Sequence, residues 1–161
     1  MKPHLTNSIS SSLKHFSSST INVLIKPGHI LKQARIFSFS DISEYSNLTH
    51  DSNPLHFDLK CAKNAGFADI PVPGMLVASL FPRIIASHFP GAVYVKQTLE
   101  FKTPVFVRDR IMAEVKANNI RQIKDKYLVK FATTCFKDGD IVVVIDGEAT
   151  AILPTLAVKQ P

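Results

Sequence analysis

The densest chemistry in the chain lies in the run Tyr45-Ser46-Asn47-Leu48-Thr49-His50-Asp51-Ser52-Asn53-Pro54-Leu55-His56. It offers a carboxylate, Asp51, and an imidazole, His56, with the rigid pair Asn53-Pro54 between them. A polar loop of that length can double back and bring both side chains onto one water or one substrate hydroxyl. General acid–base catalysis asks for such a pair: two groups of different pKa within hydrogen-bond reach of one reacting centre. The same residues also admit a plainer role, with Asp51 and Asn53 as Asx-turn residues ahead of Pro54 and His56 as a packed histidine.

A second feature is Pro73-Gly74, which opens an apolar helical pattern. The unpaired N–H groups of a helix start, with the positive end of its dipole, stabilise a developing oxyanion. Gly74 allows a carbonyl to approach the backbone closely, although glycine is also an ordinary helix-start residue. Other polar residues carry less. Ser79 has no Gly-x-Ser-x-Gly setting, no glycine-rich phosphate loop follows a strand, and Cys61 and Cys135 match no metal-ligand spacing. The two cysteines read as buried free thiols, and no metal site is expected.

These groups need a scaffold to position them. Ser40 reads as the N-cap of a helix through Leu48, and Asp58 as the cap of a second helix over Leu59–Ala65 that Gly66 ends. Ile70-Pro71-Val72-Pro73-Gly74 must be extended, because each residue before a proline is pushed out of helical geometry. From Gly74 to about Phe89, Leu76, Val77, Leu80, Phe81, Ile84 and Ile85 recur at helical spacing around most of the girth. Such a helix must be wrapped by other structure, and Pro82 inside it predicts a kink.

After Pro90-Gly91 the period switches to two. Val93, Val95, Leu99 and Phe101 are placed on one face of a strand, and Ile111, Ala113, Val115 and Ala117 on one face of the next. Ala34–Phe39 is a short extended piece, and two longer strands, 127–136 and 141–153, are joined at a Lys137-Asp138-Gly139-Asp140 hairpin turn. Four consecutive strands predict an antiparallel meander. The fold class is therefore α+β, an antiparallel sheet wrapped around one long central apolar helix.

The net charge of +6 invites a nucleic-acid reading, which its distribution removes. The first acidic residue is Asp41; residues 1–40 carry five basic groups and no acid, while 41–161 carry fourteen basic and thirteen acidic groups. Residues 1–20 hold seven serines, and Leu5, Ile9, Leu13 and Phe16 share one helical face. A basic, serine-rich, acid-free leader reads as a transit peptide, mitochondrial ahead of plastid, leaving residues 21–161 as one domain. No uninterrupted apolar run is long enough to span a membrane.

The run Asp51-x-Asn53-Pro54-Leu55-His56, followed by Pro73-Gly74-Met75 and an apolar helix, resembles the MaoC-like, R-specific enoyl thioester hydratases. The likeness extends from about Gly28 to Leu153 and includes Leu99-Glu100-Phe101-Lys102-x-Pro104-Val105. With its leader, the chain as a whole resembles the mitochondrial 3-hydroxyacyl-thioester dehydratases. The resemblance implies a hot-dog fold, a homodimer, no cofactor, and reversible removal of water from a (3R)-3-hydroxyacyl thioester to give the trans-2-enoyl thioester. On this basis Asp51 and His56 match the catalytic pair, Asn53 the residue that supports their loop, and Gly74 the donor to the thioester carbonyl.

This sequence departs from the family pattern at three places: His50 stands where Gly is frequent, Pro73 where His is frequent, and Pro82 in the helix that shapes the acyl pocket. Leu76, Leu80 and Phe81 are candidates to line that pocket. Lys102, Arg108 and Arg110 are candidates to meet the acyl carrier, either acyl carrier protein or coenzyme A. The expected setting is the mitochondrial matrix and type II fatty-acid synthesis. A thioesterase on the same fold, or a non-catalytic acyl-thioester binder, are the alternatives.

Overall fold

The computed structural model describes residues 23–137 and 142–160. The leader and the Asp138-Gly139-Asp140 turn lie outside these described residues. The first strand, β1 (Ile30–Ile36), runs into helix α1 (Phe39–Thr49). A 3-10 turn over Pro54–His56 and helix α2 (Leu59–Asn64) follow, then α3 (Gly74–Ala78) and α4 (Leu80–His88). The remaining strands are β2 (Val93–Phe101), β3 (Arg110–Ile123), β4 (Lys126–Lys137) and β5 (Val142–Leu153).

All five strands form one antiparallel sheet in the order β1-β3-β4-β5-β2. The expected meander of four strands is therefore corrected: β3, β4 and β5 form it, while β2 lies beyond β5 and β1 pairs with β3. The expected central helix is present but divided. Pro82 has no N–H to offer the Ala78 carbonyl, and the chain breaks at Ser79, which closes α3 and opens α4. Phe81, Ile84 and Ile85 of α4 and Val77 of α3 are packed in the core with Ile111, Ala113, Val115 and Ala117 of β3. This is the hot-dog arrangement, a curved sheet closed over a helix.

Two local expectations change. The N-cap of α1 is Ser38 rather than Ser40, and it forms a capping box: Ser38 Oγ accepts from the Asp41 N–H while the Asp41 carboxylate accepts from the Ser38 N–H. Asp41 takes the place usually filled by Glu or Gln. In β2 the register shifts between Tyr94 and Lys96. The extra residue reverses the alternation at the start of the strand, so Tyr94 joins the partly buried face of Leu99 while Val93 and Val95 are exposed. Asp58 caps α2 as expected, accepting from the Lys60 and Cys61 N–H groups.

Residues 23–25 are part of the fold. The Ile25 N–H donates to the Leu156 carbonyl and the Val158 N–H to the Val23 carbonyl, with Ile25 buried. The C-terminal segment also reaches the end of α4, where the Lys159 N–H donates to the His88 carbonyl. Cys135 is buried, which pushes its thiol up to about 12, whereas Cys61 is only half-buried.

Candidate active site

The loop between α1 and α2 is shaped by short-range hydrogen bonds. His50 ends α1 at φ 60°, ψ 20°, the left-handed conformation that favours glycine. Histidine thus takes up the backbone geometry a glycine would adopt there. Ser46 Oγ then donates to the Asp51 carbonyl at 2.6 Å, and Asp51 Oδ1 accepts from the Asn53 N–H at 3.1 Å. Asn53 Oδ1 accepts in turn from the Leu55 N–H at 3.2 Å, capping the 3-10 turn with Pro54 at its first position. Each Asx side chain sets the next two residues, so the loop has little freedom before it reaches His56.

His56 is held differently. Its Nδ1 lies 2.8 Å from the Pro71 carbonyl oxygen. A carbonyl only accepts, so Nδ1 carries the proton in this contact and Nε2 is the ring nitrogen left to meet a substrate. The ring lines a cavity of about 470 Å³, which Gly74 also lines. At Gly74, α3 begins with Pro73 as N-cap and no side chain capping the terminus. The Leu76 and Val77 N–H groups return to the Pro73 carbonyl, at 3.0 and 3.2 Å. The Phe101 ring packs against Gly74 so closely that a Cβ there would lie 2.6 Å from Cε1. A larger residue at this position would require the half-exposed Phe101 ring to move.

The rest of the cavity wall is largely apolar: Leu55, Phe67, Val72, Met75 and Val77 on one side of the sequence, Phe101, Pro104, Val105, Val144 and Ile145 on the other. The structure therefore brings His56 and Gly74 together, with Asp51 and Asn53 in the loop that carries His56; Asp51 itself is not part of this wall. Leu76, Leu80 and Phe81 are not part of it either. Leu80 and Phe81 are buried in the core, and Leu76 packs against it. Met75 and Val77, the two neighbours of Leu76 in α3, stand there instead. Helical periodicity marks an apolar face but does not separate the part facing the core from the part facing a cavity.

Lys102 lines the cavity and forms an exposed ion pair with Glu100 at 2.6 Å. Arg108 lies in the turn before β3 at φ 76°, and Arg110 is the first residue of that strand. Among the described residues, no group of three or more His, Cys, Asp or Glu is placed to hold a metal ion, and no helix is long and apolar enough to cross a membrane.

A curved antiparallel sheet closed over a divided helix, with a mostly apolar cavity at the helix start, defines a hot-dog protein. The chain belongs to the MaoC-like domain family, whose model matches residues 23–135. It is 63% identical over 94% of its length to a mitochondrial 3-hydroxyacyl-[acyl-carrier-protein] dehydratase of Solanum lycopersicum, covering 92% of that protein. A mitochondrial protein of the same description from Arabidopsis thaliana is 53% identical over 92% of this chain and 89% of its own. Among solved structures, the (R)-hydratase of Aeromonas caviae superposes with a TM-score of 0.74 at 32% identity, over 81% of this chain and 98% of that one.

Proposed function

We propose that this protein is a hydro-lyase of mitochondria, catalysing the reversible dehydration of a (3R)-3-hydroxyacyl thioester to the trans-2-enoyl thioester, and that Asp51 and His56 are its acid–base pair. One observation supports His56 in this pair: its ring is fixed through Nδ1, and it shares an apolar cavity with the uncapped start of α3, while Asp51 stands in the same loop. The α-proton of a thioester is weakly acidic, so its removal requires charge stabilisation at the carbonyl oxygen. The Gly74 N–H and the helix dipole supply this, and a donor of this kind contributes about 3 kcal/mol in the transition state. The acid–base pair takes the α-proton and returns a proton to the departing β-hydroxyl, so that one water leaves and the C2–C3 double bond forms. Asn53 supports both groups through the 3-10 turn it caps.

The apolar wall, which includes Met75, Val77 and Phe101, receives the acyl chain. Lys102 at the cavity, with Arg108 and Arg110 beyond it in sequence, are the groups offered to the carrier. The mitochondrial relatives named for acyl-carrier-protein substrates favour that carrier over coenzyme A. The working unit is a homodimer in the matrix, serving fatty-acid synthesis. Residues 1–20 are the transit peptide and residues 21–161 the enzyme domain. Removal of the leader must stop short of Val23, whose carbonyl is bonded to the C-terminal segment.

The test follows both products from one (3R)-3-hydroxyacyl thioester. Enoyl thioester forming without free thiol is the expected result. Thiol release without the double bond would make the protein a thioesterase instead. Parallel turnover on acyl-carrier-protein and coenzyme A thioesters decides the carrier.

A further inference from the structure

The Pro71 carbonyl that accepts from His56 Nδ1 shares a peptide plane with the Val72 N–H. That N–H donates to the Val105 carbonyl at 2.7 Å, within an antiparallel bridge between Pro71 and Phe106. The Val105 carbonyl in turn shares a plane with the Phe106 N–H, which donates to Asp109 Oδ2 at 2.9 Å. Three hydrogen bonds and two rigid peptide groups thus run in one direction, from the His56 ring to a carboxylate.

The far end is well fixed. The Asp109 N–H returns to the Phe106 carbonyl at 3.1 Å, and Lys137 Nζ lies 2.8 Å from Asp109 Oδ2 and 5.1 Å from the Phe106 ring centroid. Between them Arg108 holds a left-handed backbone, with its N–H donating to the Phe37 carbonyl at 3.1 Å. Hydrogen bonds aligned in series polarise one another, and a carboxylate at the acceptor end makes each upstream carbonyl a better acceptor.

We infer that Asp109, anchored by Lys137, is a positioning residue for His56, acting through the peptide groups Val105–Phe106 and Pro71–Val72. It holds the ring in the Nδ1–H tautomer and in one orientation, so that Nε2 meets the substrate. The inference rests on the dehydratase reading of the cavity. Asp109 is on neither the His56 loop nor the cavity wall, and misplacing a catalytic group by a fraction of an ångström is enough to cost rate.

The experiment uses the full-length protein and the variants Asp109→Ala, Asp109→Asn, Lys137→Met and His56→Ala. Steady-state kinetics is combined with 15N NMR of the histidine rings. Asp109→Ala is expected to lower kcat about tenfold with KM nearly unchanged, and to turn the single Nδ1–H tautomer signal of His56 into a mixture. Asp109→Asn keeps an oxygen for the Phe106 N–H and is expected to recover most of the rate. Where Asp109→Ala fails to fold, Lys137→Met decides, with a smaller fall in kcat and a partial change in the His56 signal. Unchanged kcat and unchanged His56 signals, alongside a lowered melting temperature, would make Asp109 purely structural and overturn the proposal. An inactive His56→Ala beside a fully active Asp109→Ala removes only the Asp109 role. Wild-type turnover in His56→Ala removes both readings.

Discussion

Two helix starts in this molecule are built in opposite ways. At α1, Ser38 and Asp41 satisfy one another: the Asp41 carboxylate accepts from the Ser38 N–H at 2.7 Å and the Ser38 hydroxyl at 2.8 Å, and Arg35 adds an ion pair at 2.6 Å. At α3, Pro73 brings no side-chain acceptor, and the terminus begins at a glycine lining the cavity. Every helix start leaves donors without intrahelical partners. Where the role is structural, the chain supplies acceptors for them. At α3 it supplies a cavity, so the donors stay available to a substrate oxygen. On the proposed function, the contrast separates a terminus that stabilises the fold from one that serves the reaction.

Changes at the open site should strike turnover and spare the fold. Asp51→Asn keeps the Asx turn, since its amide oxygen still accepts from the Asn53 N–H, and removes the charge. Several orders of magnitude in kcat are expected to disappear, with the circular dichroism spectrum unchanged. Gly74→Ala is next. Its Cβ cannot coexist with the Phe101 ring in place, so a loss of roughly 100-fold is expected in the same assay, on the scale of losing one oxyanion donor. The double variant Gly74→Ala/Phe101→Ala removes the clash while keeping the N–H, and should regain much of that loss. No recovery would mean that Gly74 serves by something other than space for its N–H.

Changes at the closed site should do the reverse. Ser38→Ala is expected to cost about 1 kcal/mol in denaturant unfolding, the usual value of an N-cap, and to leave kcat unaltered. A pH series extends the same comparison. The Ser38 N–H, followed by the Ser38 hydroxyl and the Arg35 guanidinium, holds the Asp41 carboxyl below its ordinary value, against partial burial that pushes it up. A lowered folded value means that this contribution is full above the ordinary carboxylate range and is lost as pH falls through the folded value. The melting-temperature gap between wild type and Ser38→Ala should therefore stay constant from neutral pH to about 5 and narrow below 4. His50→Gly should be the mildest change, relieving the left-handed strain at the end of α1 with only a few tenths of a kcal/mol net effect, because glycine also loosens the unfolded chain.

Much of this was legible in the sequence where the cause is local. Alternation placed Ile111, Ala113, Val115 and Ala117 inward, and all four are fully buried. Pro82 marked the break in the central helix, and Asp58 the cap of α2. The strand order was not legible, because the placement of β2 beside β5 instead of β3 is a long-range pairing with no local signature. The bulge at Val95 likewise reversed a face that strict alternation had assigned. In the site, the spacing of Asp51, Asn53 and His56 was visible. The anchor of the His56 ring at Pro71, fifteen residues away, depends on how two extended segments meet. The chain beyond it to Asp109 needs a third segment, so no motif announces it.

Turnover of His56→Ala beside wild type, on one (3R)-3-hydroxyacyl thioester with both proteins shown folded by circular dichroism, tests the central claim most directly. The variant should lose several orders of magnitude in kcat while unfolding at nearly the wild-type denaturant concentration. A folded His56→Ala that dehydrates the substrate at close to the wild-type rate would contradict it.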